Sequence, residues 1–86
     1  MSTELMEQLV DNWDNGVQSY IKIIEVNTDY CIGSVRAEMD DVTGQIIYII
    51  DTLHYGTYQS EYESDIDKFL KTFISDVELK LEMTIE

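Results

Sequence analysis

Hydrophobic positions divide the chain into helical and extended segments. Near its start the apolar residues recur at intervals of three and four, as on one face of a helix: Leu5, Met6, Leu9, Val10 and Trp13. Ser2 and Thr3 can cap this helix. The turn Asp14-Asn15-Gly16 should end it, because Asn-Gly readily adopts positive φ.

Three extended segments follow, and short turns separate them. They cover residues 17–26, 30–39 and 45–53. Asn27-Thr28-Asp29 is the first turn, and the second is a five-residue hairpin loop, Asp40–Gly44, in which Gly44 suits the left-handed conformation. Two short turns in succession predict an antiparallel meander.

The third strand is apolar on both sides. Its alternating sets of side chains are Ile46/Tyr48/Ile50 and Ile47/Ile49/Leu53. Both of its faces should therefore be covered, as in a central strand. Two helices on one side would leave the second face of the sheet open. That face is packed by the tyrosine-rich segment that follows, is used as an interface, or is offered to a second copy of the chain.

The clearest helix lies in the second half of the chain. Its apolar stripe has the spacing 0, 3, 4, 7, 8 and 11: Ile66, Phe69, Leu70, Phe73, Ile74 and Val77. Ser64–Asp67 resembles a capping start, and Ser60–Glu63 offers another one turn earlier.

The tail changes to a two-residue period. Apolar side chains alternate with polar ones from Val77 to Glu86, which predicts a strand over 77–86 after a break at Ser75-Asp76. A helix continuing to Leu81 is the rival interpretation, since no Gly or Pro ends it. The predicted order is α-β-β-β-α-β, a single α+β domain over residues 1–86 with two helices packed on an antiparallel sheet.

Charge narrows the possible partners. Eighteen acidic and five basic residues give a net charge of −13. Nucleic acid and anionic lipid would be repelled, so the expected partners are basic proteins or metal cations. Cys31 is the only cysteine, the start is not a basic signal peptide, and the longest apolar run, residues 46–50, is too short to span a membrane. We therefore expect a cytoplasmic protein.

Chemistry-bearing motifs are absent from the sequence. Cys31 and His54 are the only thiol and imidazole. The simpler interpretation is that Cys31 is a small buried hydrophobic residue and His54 a polar residue at the end of a strand, with no catalytic role. The glycines are scattered, and zinc clusters are absent. The acids at 40–41 and 65–67 lack the spacing of a calcium loop. We predict no enzyme activity, no cofactor and no metal site.

The segment YGTYQSEYESDID, residues 55–67, combines three tyrosines with four carboxylates and no base. If it coils into a turn, its tyrosines share one side. The rings then either cap the open end of the core or anchor a protein interface. The carboxylates also suit the positive end of a helix dipole. The candidate partner-binding residues are Tyr55, Tyr58, Glu61, Tyr62, Glu63, Asp65 and Asp67, followed by the hairpin tip, Asp40 and Asp41.

The density of negative charge is close to that of DNA. A domain of this size is roughly 30 Å across, and that length of duplex carries about 18 phosphates. Four acids and no base occur in the first nineteen residues, and five acids and no base occur in residues 51–67. The surface therefore suits a pocket lined with arginine and lysine, although an acidic surface can also serve solubility alone.

The chain resembles the small acidic proteins that bacteriophages make to block host defence. The likeness lies in its size, its pI near 4.1, its lack of proline and its helix, meander, helix order. The nearest likeness is to Cas9-inhibiting anti-CRISPR proteins of the DNA-mimic type, and ESDIDKFLKTF, residues 63–73, looks like the corresponding helix in some of them. The resemblance implies occlusion of a cationic nucleic-acid channel without catalysis.

The expected function is therefore inhibition of a basic nucleic-acid-handling protein, such as a CRISPR or restriction nuclease. Two rivals remain. An immunity protein or antitoxin would neutralise a basic toxin through the same electrostatics. A phage structural or assembly protein would instead dimerise through its two-faced sheet.

Overall fold

The computed structural model describes residues 3–74 and 76–86, and within them the chain alternates two helices with five strands. The elements are α1 (Thr3–Asp14), β1 (Ser19–Glu25), β2 (Tyr30–Met39), β3 (Ile46–Thr52), β4 (Gly56–Ser60), α2 (Glu63–Phe73) and β5 (Leu79–Ile85). The α+β class and the antiparallel sheet are confirmed. The predicted order lacked β4, which forms inside the tyrosine-rich segment.

The strands form one antiparallel sheet in the order β4-β3-β2-β1-β5. The chain moves from β1 to β4 through successive hairpins, and after α2 it returns so that β5 pairs with β1, Ile21 lying opposite Met83. The middle strand is β2. The third strand, predicted as central, lies between β2 and β4.

Both helices cover the same face of the sheet. Ile21, Val35 and Ile50 lie opposite one another on adjacent strands and therefore project from one face. Helix α1 packs on β1 and β2, and α2 packs on β3 and β4. The two helices and this face share one buried cluster: Met6, Leu9, Ile21, Ile23, Val35, Ala37, Ile50, Ile66, Phe69, Leu70 and Ile74. We call this side the helix-covered face.

The other side, which we call the open face, carries no helix among the described residues. The tyrosine-rich segment does not pack it, because β4 extends the sheet instead. Ile47 and Ile49 project from this side and are half-buried, so the predicted double coverage of β3 is wrong for its second face. Three of the five basic residues, Lys22, Arg36 and Lys80, belong to the open face.

The turns follow the predicted chemistry. Gly16 and Gly44 both have φ of +72°, as their positions after α1 and in the hairpin loop required. The hairpin closes through Gly44 N–H, which donates to the Asp40 carbonyl at 2.8 Å, and Val42 N–H, which donates to Asp40 Oδ1 at 2.9 Å. Strand β5 confirms the extended tail and excludes the rival helix.

Two smaller predictions are wrong, and two others are not tested. Trp13, assigned to the buried side of α1, is 41% exposed because it lies in the last turn of the helix. Cys31 is exposed rather than buried. The predicted cap at Ser2, the side chain of Thr3 and the Ser75 part of the predicted break fall outside what the structure describes.

Candidate functional site

The tyrosine-rich segment forms a strand rather than the coil that would have placed its three tyrosines on one side. Tyr58 lies in β4, while Tyr55 precedes the strand and Tyr62 follows it. Five strand residues separate Tyr55 from Tyr62, a span of about 17 Å at 3.3 Å per residue. The three rings therefore do not share one surface.

Tyr58 has a structural role. Its ring stacks on that of Phe69 in α2, with centroids 5.4 Å apart and an interplanar angle of 16°. The contact joins the edge strand to the helix above it, and the ring stays 40% exposed. For this tyrosine, the interpretation as a cap on the core fits the geometry.

A short hydrogen-bonded link fixes the start of α2. Tyr62 is the N-cap but makes no side-chain capping bond, so neither predicted serine caps the helix. Ser60 acts from two residues earlier: its Oγ accepts from Tyr62 N–H at 3.1 Å and donates to Asp65 Oδ2 at 2.6 Å. The hydroxyl thereby holds the end of β4 against the first turn of α2.

The phenols near this link keep their protons at neutral pH. A hydrogen bond with the Glu61 carboxylate and the negative charges of Glu61 and Asp65 raise the pKa of Tyr62. Burial, followed by the nearby charge of Glu63, raises the pKa of Tyr48. Tyr62 is therefore a neutral, 59% exposed ring with a carboxylate beside it.

Strand pairing brings the two predicted acidic segments to the same end of the sheet. Ser60, the last residue of β4, lies opposite Tyr48 near the start of β3. Met39, the last residue of β2, lies opposite Ile46, so the 40–45 loop leaves from that end as well. Helix α1 also ends there, because Asp14 is followed by the turn into the start of β1.

We call this side of the molecule the anionic end. The carboxylates that we count in it are Asp14, Asp40, Asp41, Glu61, Glu63 and Asp65, while Glu86, which follows β5 at this end, pairs with Arg36. Five strands at 4.8 Å spacing make the end about 19 Å wide. One nucleic-acid strand carries about six phosphates over that length, at 3.4 Å per charge. The charge density of the anionic end is therefore comparable with that of a single strand.

Basic side chains do little to neutralise the anionic end. Arg36, near the end of β2, is the basic residue of the described strands that approaches it. Its Nη2 pairs with Glu86 Oε1 at 3.1 Å, and its guanidinium lies 4.9 Å from the centroid of Tyr20. Lys68 and Lys71 lie farther along α2, and Lys80 pairs with Glu82 at 3.8 Å.

Exposed apolar side chains accompany the acids. Val42 at the hairpin tip is 93% exposed, and Met39 is 50% exposed. With Trp13 and Tyr62 they provide the apolar surface that a protein contact needs at its centre. Sequence reasoning missed Val42, although a valine directly after two aspartates in a loop was a usable signal.

Helix α1 carries the four acids of the first nineteen residues, which sequence reasoning did not include among the candidate site residues. Glu4, Glu7, Asp11 and Asp14 follow one another at spacings of three, four and three, which places them along one flank of the helix. The row is about 15 Å long at 1.5 Å per residue and ends at Asp14 in the anionic end.

Three of the predicted partner-binding residues lie outside the anionic end. Tyr55 belongs to the turn at the opposite end of the sheet, where β3 meets β4. Tyr58 serves the helix-covered face. Asp67 lies one turn beyond Glu63 and is half-buried. The structure thus brings the hairpin tip together with Glu61, Tyr62, Glu63 and Asp65 and leaves these three apart.

Over residues 3–74 and 76–86, no three His, Cys, Asp or Glu side chains are grouped to hold a metal ion. The exposed Cys31 thiol donates to the Gly33 carbonyl at 3.4 Å. Neither described helix is long and apolar enough to cross a membrane.

No family model, curated protein or solved structure matches this chain.

Proposed function

We propose that this protein is a non-catalytic inhibitor that binds a basic, nucleic-acid-handling protein by nucleic-acid mimicry. The anionic end would occupy the site that holds DNA or RNA in the target, such as the channel of a host-defence nuclease. The observation that carries this proposal is the convergence of two acidic segments, distant in sequence, around exposed apolar side chains at one end of the sheet.

Charged and apolar side chains would contribute differently to binding. Carboxylates of Asp41, Glu61 and Glu63 would take the places of phosphates and pair with arginine and lysine of the target. Val42 and Tyr62 would supply the part of the contact from which water is expelled. Long-range attraction to a basic channel should speed association and make the affinity fall with added salt.

Charge reversal tests this surface. The variant Asp41→Lys/Glu61→Lys/Glu63→Lys avoids Asp40 and Asp65, whose carboxylates hold the hairpin and the start of α2. Tagged wild-type protein should capture nucleic-acid-binding proteins from bacterial lysate at low salt, and added duplex DNA should release them. Mass spectrometry identifies the captured proteins. The variant should capture at least about tenfold less, since each reversed pair costs more than 1 kcal/mol.

The matched control is Glu7→Lys/Asp76→Lys/Glu78→Lys, which changes the net charge equally at positions outside the anionic end. Circular dichroism verifies that both variants fold. Equal loss of capture by both variants would mean that total charge rather than the anionic end is recognised. Capture that DNA does not displace would contradict mimicry.

A further inference from the structure

The two edges of the sheet differ in how well they resist pairing with another strand. Strand β4 is a five-residue edge that begins with Gly56, and α2 leaves directly after it. Strand β5 is a seven-residue edge, LKLEMTI, without Gly or Pro, and its register with β1 is unbroken from Leu79 to Ile85. Long regular edges are templates for a further strand.

The backbone groups that β5 presents to solvent can be assigned. Val26 N–H donates to the Glu78 carbonyl, and Glu86 N–H donates to the Gln18 carbonyl. Even-numbered residues of the tail therefore direct their backbone groups to β1, since this direction alternates along an antiparallel strand. Leu79, Leu81 and Met83 direct theirs outward, where no described strand lies.

Among symmetric pairs of two copies of this edge centred on Lys80, Leu81 or Glu82, only the pair centred on Leu81 places opposite charges against each other. Residues that lie opposite each other share a face, so a symmetric antiparallel pair must match odd with odd and even with even residues. A pair centred on Lys80 or on Glu82 places that residue opposite the same residue of its partner, so that two like charges face each other. A pair centred on Leu81 sets Lys80 of each protomer against Glu82 of its partner.

The same register suits the apolar side of the strand. Leu81 meets Leu81 of its partner, and Leu79 meets Met83 of its partner. These side chains are half-buried and pack against the helix-covered core of their own protomer. The outward backbone groups of the same three residues would form about six hydrogen bonds across the pair. Lys80 and Glu82 occupy the intervening positions, where facing side chains approach most closely.

We infer that the protein forms a symmetric dimer in which two β5 strands pair antiparallel about Leu81 and make one ten-stranded sheet. The helices of both protomers lie on the same side of this sheet. Because the pair is antiparallel, the two anionic ends point in opposite directions and far apart. The dimer therefore keeps both surfaces accessible and limits repulsion between protomers that each carry −13.

A charge swap tests the register. Lys80 and Glu82 are exposed, with 59% and 50% of their side chains accessible, so their substitution should leave the fold intact. Sedimentation equilibrium of the wild type in the micromolar range should give a dimer. Lys80→Glu and Glu82→Lys should each weaken association roughly tenfold or more, because each places like charges opposite each other twice. The double variant Lys80→Glu/Glu82→Lys should restore the dimer.

The control is Lys71→Glu, an exposed change on α2 with the same effect on net charge as Lys80→Glu. It should dimerise like the wild type. A wild-type monomer at about 100 μM would overturn the dimer, and single variants that dimerise normally would overturn this register. The dimer is tested with the protein alone and through β5, whereas capture of a basic partner is tested through Asp41, Glu61 and Glu63, so the failure of either proposal is distinguishable from failure of the other.

Discussion

Ser60 shows how one hydroxyl can position a surface. Its Oγ joins the backbone of Tyr62 to the carboxylate of Asp65, which lie on either side of the first residue of α2. The helix begins without a side-chain cap, so this link replaces the usual capping bond. The directions in which Glu61 and Tyr62 project therefore depend on Ser60.

Replacing Ser60 with alanine should lower the free energy of unfolding by about 1 kcal/mol, the usual contribution of a partly buried hydrogen-bonded hydroxyl. Urea denaturation followed by circular dichroism measures the difference. Ser64→Ala in the first turn of α2 is the control, since Ser64 is exposed and should change stability little. Equal stability of both variants would show that the Ser60 link is dispensable.

At the scale of elements, strand β4 determines where the acidic segments meet. With three strands, the chain would leave β3 at the end of the sheet opposite the hairpin loop 40–45. Strand β4 reverses the direction once more, and α2 then starts beside that loop. One five-residue strand thus converts two separate acidic segments into one surface.

The sequence pattern predicted the elements whose periodicity is strong. Strand β2 occupies the predicted residues 30–39, and the alternating tail forms β5 within 77–86. Strand β4 was missed because Gly56–Ser60 has one large apolar side chain, so its conformation is imposed by pairing with β3. The convergence at the anionic end could not be predicted without that strand.

The contact between Tyr58 and Phe69 should hold β4 against α2. Tyr58→Ala should lower the free energy of unfolding by about 2 kcal/mol, less than for a fully buried aromatic ring because the side chain is part-exposed. Tyr30→Ala, at an exposed position on β2, should change it by no more than about 0.5 kcal/mol. Thermal or urea unfolding distinguishes the two. Similar losses would mean that the stack adds nothing specific.

For the whole molecule, the placement of charge matters as much as its amount. The open face holds three of the bases, and two of these already pair with acids of the last strand and terminus, while the anionic end collects six carboxylates. Clustering raises the local potential, which attracts a basic partner but also strains the fold through self-repulsion. The stability of the free protein should therefore depend on salt concentration, and the size of that dependence should reflect how its charges are distributed.

Raising NaCl from about 10 mM to about 1 M shortens the Debye length from about 30 Å to about 3 Å and should stabilise the wild type. Each acid-to-lysine change adds two charges, so Asp41→Lys/Glu61→Lys/Glu63→Lys and Glu7→Lys/Asp76→Lys/Glu78→Lys both change the net charge from −13 to −7. Reversal at the anionic end removes more repulsion because its acids are neighbours. That variant should consequently gain less stability than the other on adding salt. Urea unfolding at both salt concentrations measures these differences, and equal salt dependence in the two variants would show that the carboxylates act only through their total number.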